Sequence, residues 1–106
     1  MEKTSRSGCR VTAVVVTYNR KELLVECLQA LLAQTVFDTG AGCELEILVV
    51  DNASTDGTAS SLSPLLEREP RIHYMLLEEN LGGAGGFCAG MKRAVEEGCD
   101  YVWIMD

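Results

Sequence analysis

Four short stretches of this chain carry residue types that can bind or transform a ligand. Thr17-Tyr18-Asn19-Arg20 follows the apolar run that starts at Val11. A threonine hydroxyl, an aromatic ring and backbone groups there suit a nucleoside, and the Arg20 guanidinium suits a phosphate. The same residues also read as a capped helix start with an exposed arginine. Asp51 ends a second apolar run and opens the stretch Asp51-Asn52-Ala53-Ser54-Thr55-Asp56-Gly57-Thr58. A carboxylate just past a buried strand is placed to accept a hydrogen bond from a base N–H or a ribose hydroxyl. Turn and cap chemistry accounts for part of Ser54, Asp56 and Gly57.

The third stretch, Asn80-Leu81-Gly82-Gly83-Ala84-Gly85-Gly86, has four glycines in five positions. Glycine lets backbone approach a ligand closely, at a cost in chain entropy. Ahead of a helix, such a loop presents N–H groups to a diphosphate or a sugar. A tight strand-to-helix connection is the plainer explanation, although one or two glycines usually suffice for that. Neither G-x-G-x-x-G nor G-x-x-x-x-G-K-[ST] threads through it, which disfavours a dinucleotide oxidoreductase and a P-loop NTPase. The fourth feature is Asp106, at the end of the apolar run Tyr101 to Met105. A carboxylate there can hold Mg2+ or Mn2+ against a diphosphate, but one carboxylate is a weak site, and a strand-ending Asp explains it equally.

The elements that must position these residues follow from periodicity. Val11 to Thr17, Glu44 to Asp51, Arg71 to Leu77 and Asp100 to Met105 are short runs, rich in apolar residues, that predict strands of a parallel sheet. Between them, Leu23, Leu24, Cys27, Leu28, Leu31 and Leu32 recur at helical spacing, with Asn19 and Glu22 forming a capping-box pattern ahead of them. Thr35 to Cys43 reads as a loop. Asp56 is a candidate cap for a second helix carrying Leu62, Leu65 and Leu66, in which Pro64 predicts a break, or a restart with Ser63 as cap. Phe87, Met91, Ala94 and Val95 mark one face of a third helix that Gly98 closes. His73 reads as a structural strand residue, and Tyr101 and Trp103 are expected to pack against the sheet's helices or its missing neighbour. Alternation of strand and helix implies an α/β fold with right-handed crossovers, in which ligands bind outside the carboxyl ends of the strands. All four polar stretches lie at those ends.

The bulk numbers limit the alternatives. At 106 residues the chain makes one domain. The net charge of −7, with no Lys/Arg stripe, argues against nucleic-acid binding. Cys9, Cys27, Cys43, Cys88 and Cys99 are odd in number and contain no C-x-x-C pair, so free thiols in a reducing cytoplasm are expected rather than zinc or disulfides. Residues 1–10 read as a disordered leader without a signal-peptide core, and no run is long enough for a membrane span.

Taken together, VVVTYNR, ILVVDNASTDGT, NLGGAGGF and YVWIMD resemble the inverting nucleotide-sugar glycosyltransferases of the GT-A fold, family 2 type. The NLGGAGGFxxGM form is similar to that of bacterial galactofuranosyl- and rhamnosyl-transferases of cell-wall or surface polysaccharides. The resemblance covers residues 11–106 and implies a Rossmann-like sheet in the order 3-2-1-4. It implies that Thr17, Tyr18, Asn19 and Arg20 line the pocket for a UDP- or dTDP-sugar, and that Asp51 accepts from the base with Asn52 and Ser54 beside it. Asn80, Gly82, Gly83, Gly85 and Gly86 would shape the diphosphate and sugar side. Asp106 would be the first acid of the D-x-D motif that holds a divalent cation. The second acid, the acceptor site for a saccharide or lipid-linked acceptor, and the general base would lie beyond residue 106. The expectation is a donor-binding front half with little activity alone, whose exposed fourth strand could pair two copies.

Overall fold

A computed structural model describes residues 9–33 and 43–105. The elements are β1 (Cys9–Thr17), α1 (Lys21–Leu32), β2 (Cys43–Asp51), α2 (Thr58–Arg68), β3 (Ile72–Leu76), α3 (Gly82–Glu96) and β4 (Tyr101–Met105). The four strands form one parallel sheet in the order β3-β2-β1-β4. Right-handed crossovers explain where the helices lie. The chain moves outward from β1 to β2 to β3, so α1 and α2 share a face. It then returns past β1 to β4, which places α3 on the other. Leu24, Leu28, Leu31 and Leu62 pack with Val11, Ala13, Val15, Ile47 and Val49 on the first face. Ala94 packs with Val14, Leu48 and Val50 on the second. Sandwiched this way, β1 and β2 are apolar on both faces, as buried parallel strands are.

Several boundaries differ from the sequence expectation. β1 begins at Cys9, two residues into the expected leader, because Arg10 is held at both backbone groups. Its N–H donates to Asp100 Oδ2 at 2.8 Å, and its carbonyl accepts from the Asp100 N–H at 2.8 Å. The rest of the leader, residue 34 and residues 35–42 of the expected loop lie outside the described residues. Pro64 does not break α2, which runs unbroken across it. Leu62 before the proline and Leu65 and Leu66 after it pack on the same core, and this offsets the lost backbone donor. Tyr101 and Trp103 are 63% and 38% exposed. Gly98 takes the left-handed conformation expected of a helix-closing glycine, with φ +88°. Among the described residues no helix is long and apolar enough to cross a membrane.

The largest correction concerns the glycine stretch, which is helix rather than loop from Gly82 onward. The face that α3 buries is Gly86, Gly90 and Ala94, while Val95, expected on it, is 66% exposed. A Cβ at Gly90 would lie 2.5 Å from Val14 Cγ1 and 2.9 Å from Val50 Cγ2. One at Gly86 would lie 2.8 Å from Val16 Cγ1. These glycines let the helix backbone rest directly on the sheet, and that contact outweighs their poor helix propensity of about 1 kcal/mol each. Gly90→Ala is therefore expected to lower stability by about 1–2 kcal/mol in urea unfolding, despite the better propensity of alanine. Gly83→Ala, where a Cβ meets nothing within 4 Å, is expected to raise it by about 0.5–1 kcal/mol.

Candidate functional site

The register of the sheet sets Thr17 beside Asp51, and Asp51 beside Leu76, so the polar residues that end β1 and β2 share one edge. At that edge the order of the strands reverses about β1, and α1 and α3 diverge on opposite faces. The crevice this leaves is where open α/β sheets bind ligands. It holds a cleft of about 400 Å³. Thr17, Tyr18, Arg20, Asn52, Asn80, Gly82 and Gly83 line it, and Val15, Val16, Leu23, Leu24, Cys27 and Phe87 supply its apolar wall. Burial pushes the Cys27 thiol up, which keeps it protonated and poorly nucleophilic at neutral pH.

The two loops at the strand ends are laced together by side chains. The Asn19 N–H donates to Ser54 Oγ at 2.8 Å, and Asn19 Oδ1 accepts from the Thr55 N–H at 2.7 Å. Asn19 takes a positive φ of 52° to do so. It is thus spent across the gap between loops and does not cap α1, whose first residue is Lys21. The Lys21 N–H instead donates to Asp56 Oδ2 at 3.2 Å, while Lys21 Nζ donates to the Asp56 carbonyl at 2.9 Å. Asp56, expected to cap α2, therefore serves the start of α1, and it also accepts from the Thr58 hydroxyl. That hydroxyl first, and then Lys21, hold its carboxyl below the ordinary value. A depressed carboxyl stabilises the folded chain above the carboxylate range, and the contribution is lost as pH falls through it.

Asn52 ties the second loop to α3. Only 3% exposed, it donates from Nδ2 to the Gly82 carbonyl at 3.0 Å and accepts the Leu81 N–H at Oδ1 at 3.1 Å. Its own N–H donates to the Thr17 carbonyl at 2.9 Å. Asn80 Oδ1 accepts from the Gly82 N–H at 2.7 Å. Of the residues the sequence singled out, Asn19 and Ser54 brace the cleft from behind. Gly86 packs α3 against Val16, and Gly85 makes room for Leu81 one turn back at the helix start. Asp51 is 1% exposed and has two partners from its own chain, the Ser54 N–H at 2.8 Å and the Tyr74 hydroxyl. Tyr74, Leu23 and Phe87 carry no local signal of a site, because strand and helix periodicity explains each of them. His73, read as structural, pairs its Nε2 with Glu46 Oε1 at 2.5 Å, toward the opposite end of the strands. Among the described residues no group of three or more His, Cys, Asp or Glu is placed to hold a metal ion, and Asp106 lies outside them.

Comparison with known proteins agrees with this fold. The family model "Glycosyl transferase family 2" matches residues 12–106. The galactofuranosyltransferase GlfT1 of Mycobacterium tuberculosis H37Rv is 40% identical over 98 residues, covering 91% of this chain and 29% of that protein. The undecaprenyl-phosphate mannosyltransferase of Micrococcus luteus is 32% identical over 97 residues, covering 92% of this chain and 37% of that protein. A solved structure, the mannosyltransferase PcManGT of Pyrobaculum calidifontis in complex with GDP-Man and Mn2+, superposes with a TM-score of 0.67 at 34% identity. That match covers 82% of this chain and 25% of the neighbour, so the chain spans only about a third or less of each of these three proteins.

Removing the Asn52 clamp tests how the cleft is built. Asn52→Ala leaves the Leu81 N–H and the Gly82 carbonyl without their partner and is expected to cost about 1–3 kcal/mol. Amide hydrogen exchange at Leu81 should accelerate more than at the buried strand amides of Val14 and Val49.

Proposed function

The chain belongs to glycosyl transferase family 2, and on that premise we infer that it supplies the donor-binding part of an enzyme that transfers a sugar from a nucleotide sugar. The observation that carries this reading is the cleft at the carboxyl ends of the strands, where Thr17, Tyr18, Arg20, Asn52, Gly82 and Gly83 meet. Tyr18 offers a ring to the nucleoside and Arg20 a guanidinium to the diphosphate. The first turn of α3 offers backbone N–H groups to the same phosphates. Asp51 lies behind the cleft wall, across the ladder from Thr17 and next to Asn52, and is assigned as the acceptor for a base N–H that reaches past them. On this reading the donor is a UDP- or dTDP-sugar, and the acceptor is a saccharide or lipid-linked glycan of the cell wall or surface. Cys27, Cys88 and Cys99 are free thiols, in keeping with a cytoplasmic setting.

A divalent cation, when bound, neutralises charge on the departing diphosphate, and Asp106 is the residue assigned to it. Among the described residues, those lining the cleft include no carboxylate or histidine to take a proton from an acceptor hydroxyl. The 106-residue chain is accordingly expected to bind donor with little turnover.

A second reading, self-association, has its own observation. β4 pairs only with β1 among the described strands, and it exposes Tyr101 and Ile104 along that edge. Such an edge can pair with a second copy.

Adding UDP to the labelled chain should produce saturable chemical-shift changes at Thr17, Tyr18, Asn52 and Gly83. Arg20→Ala should weaken that binding roughly threefold to tenfold, the range for one partly exposed charged contact. A flat titration up to millimolar UDP, dTDP and GDP would remove the nucleotide-site reading.

A further inference from the structure

Asp51 ends β2 with its carboxylate shut away from solvent. A carboxylate so placed needs hydrogen bonds in place of the water it has lost. One comes from the Ser54 N–H, inside the turn that Asp51 itself opens. The other comes from the Tyr74 hydroxyl on β3, a strand that contributes nothing else to the cleft. Tyr74 is paired with Val49 in the β2–β3 ladder, so it points to the same face as Val49 and Asp51. Its ring packs against the apolar cluster on that face, which aims the hydroxyl at Asp51 Oδ2. Burial first, and then Asp51, push the phenol up, so it remains a donor at neutral pH.

The terminal torsion of an aspartate is broad. Held by Ser54 alone, the carboxylate would turn about that torsion; held at both oxygens, it has one plane. Each oxygen has two lone pairs, so one on each is left unused by Ser54 and Tyr74, and a base that reaches past the cleft wall at Thr17 and Asn52 would meet them. We propose that Tyr74 is a positioning residue that locks the plane of the Asp51 carboxylate and so sets a preference for bases with a ring N–H over bases with a bare ring nitrogen. This rests on the reading of Asp51 as the acceptor for the base. Uracil, thymine and guanine present such an N–H. Cytosine presents a lone pair at the equivalent atom, which a carboxylate repels. Tyr74 itself touches no part of the nucleotide.

The test is the ratio of UDP to CDP affinity, measured by calorimetry on the 106-residue chain, on Tyr74→Phe, on Asp51→Asn and on the double variant. Wild type should prefer UDP about tenfold, corresponding to one well-aligned hydrogen bond. Tyr74→Phe, which keeps the ring in the core, should cut that ratio at least about fivefold while leaving affinity for inorganic pyrophosphate unchanged. Asp51→Asn should abolish or reverse the preference, and adding Tyr74→Phe to it should then change nothing further. A merely structural role for Tyr74 would weaken UDP, CDP and pyrophosphate alike, and an unchanged ratio in Tyr74→Phe would overturn the proposal. A second measurement needs no variant: the Tyr74 hydroxyl proton in wild type should shift on adding UDP and not on adding CDP, and equal shifts would also overturn it. Wild type that binds neither nucleotide removes the nucleotide-site reading and this inference together. Wild type that binds UDP with a ratio indifferent to Tyr74 removes this inference alone.

Discussion

Everything in this molecule is placed by the pairing of β1 on both of its edges. Backbone N–H and C=O groups buried between helices must find partners. β1 finds them in β2 along one edge and in β4 along the other. Chain handedness does the rest, because crossovers that run outward from β1 and then back past it must use opposite faces. A crevice at the carboxyl end of β1 is the geometric remainder of that arrangement. The apolar residues of β1, with Ala13 and Val14 wholly buried, make the pairing obligatory.

Within the crevice, side chains from one loop answer backbone groups of the next. Ser54 answers Asn19, Asn19 answers Thr55, Asp56 answers Lys21, and Asn52 answers both Leu81 and Gly82. Each bond contributes modestly, about 1 kcal/mol net. Their joint effect is to order three separate loops before any ligand arrives, which lowers the ordering cost of binding. The arrangement also explains why so few of these polar residues are free. Asn19, Asp51, Asn52 and Ser54 are all held by bonds within the chain, and those bonds fix the shape of the crevice.

The sheet was legible because β-branched runs ending in polar residues have few other fates. The strand order came from the family resemblance, and the register confirms that the tips of β1 and β2 meet. Failures cluster where a distant partner overrides a local pattern. Asn19 and Glu22 form a capping box on paper, but the bond partner of Asn19 is 36 residues away. Tyr74 looks like any half-buried strand residue, because its role appears only with Asp51, 23 positions back. The glycine stretch read as loop since glycine is a poor helix former, and only contact with the sheet makes helix the better state there. A signal for that contact was present in the spacing of Gly86, Gly90 and Ala94, one helical face of small residues. Asp106 lies outside the described residues, so its assignment still stands on resemblance alone.

That small-residue face also makes α3 a lever. Gly90 is its fulcrum, pressed against Val14 and Val50 with no room to rock inward. Gly82, at the end over the cleft where Asn52 clamps it, lies eight residues away, or roughly 12 Å of helix. A tilt of only about 5° about the fulcrum would swing that end by roughly 1 Å, a displacement large enough in a binding site to cost about a hundredfold in rate. Variation in what such a cleft accepts is therefore easier to obtain from the α1 wall, where Tyr18 and Leu23 are exposed, than from the helix opposite.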